Sequence, residues 1–334
     1  MHTQPHTPWR RLLGLGAGLA AVLTVLALAF LWPAVTSEPR DLPVAVAGPP
    51  AAVDPFATAL QERAPGAFDV VAAQDRSAAV DLIETREAYG AVVLGAQPEI
   101  LTASGGSPLV AQQLAALAPA LQAQVGAPVR VTDIAPFVEG DPRGAVLGAV
   151  TFPLVIGGMI GGIAISLTVV GVWRRITAVV GYSVLGGLAV AGVLQGWFGA
   201  LAGSYAVNAG IVALAILAVA GVIVGCVSVV GRAGIAIGPV LFLLVANPIA
   251  SAAQPWQMLP TPWGAIGQWM PPGAAAALLR DESYFPHADT TQLWVALASW
   301  AVLGLLLATV GHFRDAGAAT AAAVEEATPE LVTV

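Results

Sequence analysis

Residues 12–32 read LLGLGAGLAAVLTVLALAFLW, 21 positions without a charge. At about 1.5 Å per helical residue, such a run crosses the roughly 30 Å hydrocarbon core of a bilayer. Arg10 and Arg11 stand just before it, as they would before the apolar core of a signal peptide. The run exceeds the roughly 7–15 residues of such a core, and Ala27-Leu28-Ala29 lies inside it rather than after it. We therefore read an uncleaved membrane anchor whose arginine end stays on the cytoplasmic side.

The whole chain agrees with that beginning. Of 334 residues, 57% are hydrophobic and 10% are charged, with a mean hydropathy of +0.81. An ordinary soluble domain carries roughly 25% charge, so the composition excludes a soluble enzyme, a disordered chain and a nucleic-acid binder. Net charge is −7, and all thirteen basic residues are arginine. A Walker A loop needs a lysine to reach its phosphates, so the chain is no P-loop ATPase by itself. The single cysteine, Cys226, excludes an internal disulfide framework and reads as a small hydrophobe in an apolar run.

Residues 34–143 differ. Thirteen acidic and six basic residues give this segment a charge of −7. Apolar runs predict strands at 41–47, 68–72, 89–94, 100–103 and 129–134, and helical spacing appears at 55–63, 77–87 and 108–125. Pro119 should kink or end the last helix. The order β-α-β-α-β-β-α-β predicts a small α/β domain.

From Arg143 onward apolar spans return at 147–172, 176–198, 205–230, 235–253 and 293–310. With the first run this makes six. If the N-terminus is cytoplasmic, Arg174, Arg175, Arg232 and Arg314 all fall inside, and the uncharged 199–204 connection falls outside, as the positive-inside rule requires. The α/β insertion then faces away from the cytoplasm. The expected architecture is a mainly α-helical membrane protein, a six-span bundle with an extracytoplasmic α/β domain inserted between spans one and two. Its parts are residues 1–33 (cytoplasmic end and first span), 34–143 (α/β domain), 144–312 (five spans) and 313–334 (a cytoplasmic acidic tail, expected to be disordered).

Within the spans, glycines recur four residues apart: Gly157/Gly161, Gly158/Gly162, Gly192/Gly196 and Gly221/Gly225. This spacing lets helix backbones approach within a bundle or across a dimer seam. Deep charges, the usual mark of a proton relay, are absent from the spans. Gln195 and Asn247 are read as interhelical hydrogen-bonding groups, and Pro248 should kink span five. Three tryptophans and many prolines mark the outer loop 254–292. Its pattern predicts short helices at 263–270 and 273–279, separated by Pro271-Pro272 and lying on or dipping into the outer leaflet. The pairs Glu84/Glu87 and Asp281/Glu282 read as solvated charges. His2, His6, His287 and His312 lack partners at metal spacing, and no catalytic, cofactor or metal site is expected.

Leu42-Pro43-Val44-Ala45-Val46 follows span one, Tyr89-Gly90-Ala91-Val92-Val93-Leu94 lies within the domain, and a long block precedes span six. That block runs through Asn247-Pro248, Leu259-Pro260, Trp263-Gly264, Ile266-Gly267-Gln268, Pro271-Pro272-Gly273-Ala274, Leu279-Arg280 and Tyr284-Phe285. In these motifs the chain resembles the membrane subunit of type-2 ABC exporters, in particular the phage-infection-protein-like and actinobacterial permeases, from Arg10 to about Arg314. The resemblance implies a homodimer, or a heterodimer with a related permease, that moves an amphipathic or lipid-like molecule outward across the bilayer. It implies re-entrant outer helices in the block before span six, and makes Gln195, Asn247, Pro248, Trp263, Gly267, Gln268, Pro271, Pro272, Gly273 and Arg280 candidates for a translocation or re-entrant segment. A separate ATPase subunit would dock at the inner side, where Arg10, Arg11, Trp173, Arg174 and Arg175 lie. One departure is plain: the loop between spans two and three is little more than Trp173-Arg174-Arg175. The alternative expectation is a non-transporting scaffold or receptor whose α/β domain binds a ligand or partner.

Overall fold

The computed structural model describes residues 7–327. Among them are five helices long and apolar enough to cross a membrane, and the chain is a mainly helical, multi-pass membrane protein. The first is α1 (Trp9–Val35). After the α/β domain come α6 (Ala145–Thr168), α7 (Val172–Ala191, extended by a π-helical turn at Gly192–Trp197), α8 (Tyr205–Val230) and α11 (Thr291–Ala327). Helix α8 is apolar on every side, and a helix of that kind belongs in the interior. It sits at the centre, against α6, α7 and α11.

Glycine makes these crossings close. A Cβ on Gly158 would lie 2.8 Å from Val219 of α8, and one on Gly161 would lie 2.1 Å from the Tyr182 ring of α7. Gly162 meets Ala220, Gly157 accepts a hydrogen bond from Tyr182, and Gly192 lies near Tyr205. Gly221 and Gly225 face Gly304 of α11, where a Cβ on Gly225 would come within 2.5 Å of the Gly304 carbonyl. These contacts all lie within one chain. Gly196 alone of the eight faces open space.

The expected span at 235–253 takes another form. Gly231 (φ 69°) ends α8. A 3-10 turn follows at Gly231–Ala236, where the bare Gly234 lies on the backbone of Cys226 and Val227. A π-helix then covers Pro239–Ala246, closing with Asn247 N–H on the Phe242 carbonyl (3.0 Å), and Pro248 falls in the turn beyond. Two prolines without N–H donors, with glycines before them, keep this run from becoming one long α-helix. Helix α11 continues to Ala327, into the stretch expected to be an acidic tail. His2, His6 and residues 328–334 lie outside the described residues.

The α/β domain follows the expected order. Its strands are β1 (Leu42–Ala47), β2 (Phe68–Ala73), β3 (Gly90–Val93), β4 (Glu99–Thr102) and β5 (Arg130–Asp133), arranged β2-β1-β3-β4-β5. All neighbours are parallel except the β3–β4 hairpin. Helices α2 (Pro50–Arg63) and α3 (Arg76–Glu84) make the first two crossovers. The third is broken at Ala116-Leu117 into α4 (Pro108–Ala115) and α5 (Ala118–Val125), with Pro119 in the first turn of α5, a position that needs no N–H donor. Asp75 caps α3 by accepting from Ala78 N–H (2.9 Å), and Ser107 caps α4 by accepting from Val110 N–H (3.3 Å).

Strand β1 is buried on both faces. Leu42, Val44 and Val46 point toward α2, α4 and α5, whereas Ala45 and Ala47 point toward α3. The alanine face is shallow, and it receives a residue from far along the chain, Phe285. Gly225→Val should push α8 from α11 and cost about 1–3 kcal/mol by overpacking, while Gly196→Ala should stay within about 0.5 kcal/mol. Thermal unfolding of the detergent-purified protein, followed by tryptophan fluorescence, separates the two outcomes.

Candidate functional site

The block before α11 joins the two halves of the molecule. It forms α9 (Trp263–Trp269) and α10 (Pro271–Tyr284). Pro271 and Pro272 do not separate two short helices. They open α10 as its first two residues, where their missing N–H groups cost nothing. Nor does α10 lie on a surface. Residues 271–281 are buried throughout, against α6, α8 and α11. Its entry is tight, since a Cβ on Gly267 would lie 1.8 Å from the Ile249 carbonyl and one on Gly273 would lie 2.1 Å from the Gly267 carbonyl. Aromatic contacts complete the seat. Trp263 meets Trp32 of α1 edge-on at 6.3 Å, and Trp300 Nε1 donates to the Trp269 carbonyl (2.8 Å).

At its other end α10 enters the α/β domain. Phe285 is 3% exposed among Ala45, Ala47, Ala91 and Leu101. Gly105 and Gly106 make room: a Cβ there would lie 2.5 Å from the Tyr284 ring and 3.1 Å from the Phe285 ring. One turn earlier, Asp281 forms a short ion pair with Arg86 from the turn after α3. Both side chains are largely buried, and the Arg86 guanidinium also lies 5.2 Å from the Phe285 ring centre and 5.8 Å from that of Tyr89. Arg86 holds a left-handed backbone (φ 62°), which costs a non-glycine residue energy and persists where the surroundings fix it. Burial works to lower its pKa. The Asp281 charge, Tyr89 and the hydrogen bonds to both together outweigh this and hold the group above the usual arginine range. Neighbouring Arg280 donates from Nη2 to the Ala252 carbonyl (2.6 Å), and burial, with Arg86 alongside, brings its pKa down to about 10. It stays charged at neutral pH.

A cleft of about 590 Å³ opens beside the ion pair, between the α/β domain and α9–α11. Tyr89, Trp256 and Trp269 supply aromatic faces; Gln257 and Gln268 supply amides; Tyr89 donates to Gln257 (3.0 Å). Its ionisable lining is Arg86 and His287 with three carboxylates, Glu87, Asp281 and Asp289. Asp281 is taken by Arg86. Glu87 accepts from the Thr85 hydroxyl (3.0 Å), and Asp289, held below its usual pKa by the Thr291 side chain and N–H, caps the start of α11. The volume is that of a small-molecule site. The chemistry suits an amphipathic guest with an apolar body against tryptophan and a positively charged head near the carboxylates.

Of the residues singled out in the sequence as candidates for a translocation or re-entrant segment, only Gln268 lines this cleft; Gly267, Pro271, Pro272, Gly273 and Arg280 do not, and belong to the tight entry and the buried body of α10. Trp263 is outside it, on α1. Gln195 is elsewhere: its amide donates to the Gly203 carbonyl (2.9 Å) and accepts from Asn208 (3.0 Å), closing the 199–204 loop. Asn247 and Pro248 end the π-helix, behind α9. At the opposite end of the bundle, Arg175 donates to the carbonyls of Val169 (2.8 Å) and Ser166 (3.0 Å), finishing α6. Arg10, Arg11 and Arg174 are exposed, and Trp173 sits edge-on to His312 at 6.3 Å.

The carboxylate pairs correct the sequence reading. Asp281 is 4% exposed and paired, and Glu282 accepts from Ser204 N–H (2.7 Å), so neither is a free solvated charge. Glu84 lies 3.7 Å from His287. Arg86 with Asp281 and Tyr89 with Gln257 had no sequence signal, because these partners are 195 and 168 residues apart. Breaking the pair by Arg86→Met or Asp281→Leu should cost about 3–5 kcal/mol, since either leaves a buried charge uncompensated. The double variant should recover much of that loss, and a thermal-unfolding double-mutant cycle measures it. No protein family, curated protein or solved structure matches the chain, so its function is argued from this geometry.

Proposed function

We propose that the protein is the membrane subunit of a type-2 ABC exporter, moving an amphipathic or lipid-like molecule outward with energy from a separate ATPase subunit. The observation that carries this reading is the cleft between the α/β domain and α9–α11. It lies at the sheet-side end of apolar helices, next to the tryptophan contacts expected where protein meets lipid headgroups. A guest leaving the bilayer would keep its tail near the spans while its head met Glu87, Asp289 and the amides of Gln257 and Gln268. In this reading the protein works in a bacterial cytoplasmic membrane. It crosses six times, counting the irregular segment 235–253 as a crossing. Its termini are cytoplasmic, the α/β domain is outside, and it pairs with a second permease subunit.

The scaffold or receptor reading is favoured by a different observation. The surface opposite the α/β domain offers a partner little, because the α6–α7 connection is three residues long and Arg175 is occupied within it. The test is purification of the tagged, full-length protein from its native host in mild detergent, followed by mass spectrometry of proteins and extracted lipids. A stoichiometric P-loop ATPase is expected, with a co-purifying amphiphile that Trp269→Ala reduces by about tenfold, the equivalent of roughly 1.4 kcal/mol. Repeated recovery of intact protein with no ATPase would reject the exporter reading in favour of the receptor.

A further inference from the structure

Behind the cleft lies a second, smaller void of about 20 Å³, between the turn carrying Arg86, residues 251–256 and α10. It has room for one water-sized species. Its lining is unlike that of the cleft, for it contains two arginines, Arg86 and Arg280, and no carboxylate. Arg280 is 7% exposed, and its Nε has no hydrogen-bond partner among the described residues. The buried Ser251 hydroxyl, also on this void, has none either. Both are donors, and both are left over where nearly every buried polar group is satisfied.

The charges do not balance. From the α3–β3 turn comes Arg86, and from α10 come Arg280 and Asp281. The remaining polar groups facing Arg280 or the void include no carboxylate: Tyr89, Tyr284, Gln254 and Gln268. Two guanidinium groups against one carboxylate leave a net charge of +1 in a buried place. A water molecule could satisfy the donors, yet it would leave that charge uncompensated, which is the costly condition. A single excess positive charge calls for a monovalent anion.

We infer that this void is a binding site for a single small monovalent anion, of which chloride is the abundant example, held by Arg280 Nε and the Ser251 hydroxyl. The bound anion ties residue 251 and α10 to the Arg86 turn, and so strengthens the seat of the α/β domain on the bundle. This site is independent of whether the chain transports anything.

The experiment uses the full-length protein in detergent, exchanged into gluconate. Chloride replaces gluconate at constant ionic strength while thermal unfolding is followed by tryptophan fluorescence. Binding to the folded state alone gives a midpoint that rises with chloride above its dissociation constant. Bromide should act like chloride, and sulfate should not. Arg280→Gln should abolish the response, and Ser251→Ala should raise the half-effective chloride concentration by about tenfold, as expected for one hydrogen bond to a charged partner. A flat chloride response in the parent protein overturns the inference. So does a response that survives undiminished in Arg280→Gln. Should that variant not fold, an unchanged chloride requirement in Ser251→Ala overturns it equally.

Discussion

The salt bridge between Arg86 and Asp281 is the interaction on which the arrangement of this molecule turns. It joins a turn of the α/β sheet to a helix buried in the membrane bundle, across 195 residues of chain. A buried ion pair contributes little net stability, but either partner alone is expensive. The pair therefore acts chiefly as a register device. The α/β domain meets α10 in the one position where Arg86 finds Asp281 and Phe285 finds the alanine face of the sheet. The left-handed backbone at Arg86 is held by the same contacts.

Helix α10 can perform this task because both of its ends are specified. Two prolines start it where N–H donors are not needed, and Gly267 and Gly273 let its entry pack on backbone. Its middle is alanine and leucine, buried against three spans. Its exit carries Arg280, Asp281, Tyr284 and Phe285 into the domain. Residues 254–258 form a second attachment. Gln254 accepts from Ser37 (2.9 Å), the Met258 carbonyl accepts from Arg40 (3.0 Å), and the Met258 side chain joins the core of the sheet. The cleft is the space left between these two attachments, so any movement of the domain on the bundle changes its shape.

The elements of this protein are largely legible in its sequence. Five strands and the crossover helices of the α/β domain stand out because apolar runs of four to six residues alternate with capped helical stretches. Pro119 marks the break between α4 and α5 for a local steric reason. Seven of the eight paired glycines lie at close helix contacts, and Gly196 faces open space. One feature misled, and another takes an unexpected form. The apolar run at 235–253 is divided by Gly231, Pro239 and Pro248 into 3-10 and π turns. The acidic pair at 281–282 looks solvated because local sequence says nothing of an arginine brought in from another domain.

What the sequence determined by itself follows from short-range physics: bilayer-length apolar runs, the alternation of strand and helix, the helix start at Pro108 and the break at Pro119. Such signals act within about one turn or one strand. What only the tertiary structure decided is the meeting of distant groups. It buried α10, paired Arg86 with Asp281, seated Phe285 between Gly105, Gly106 and the β1 alanines, and left Arg280 and Ser251 facing a void. The energies of those contacts depend on desolvation, and desolvation exists only once the chain has closed around them.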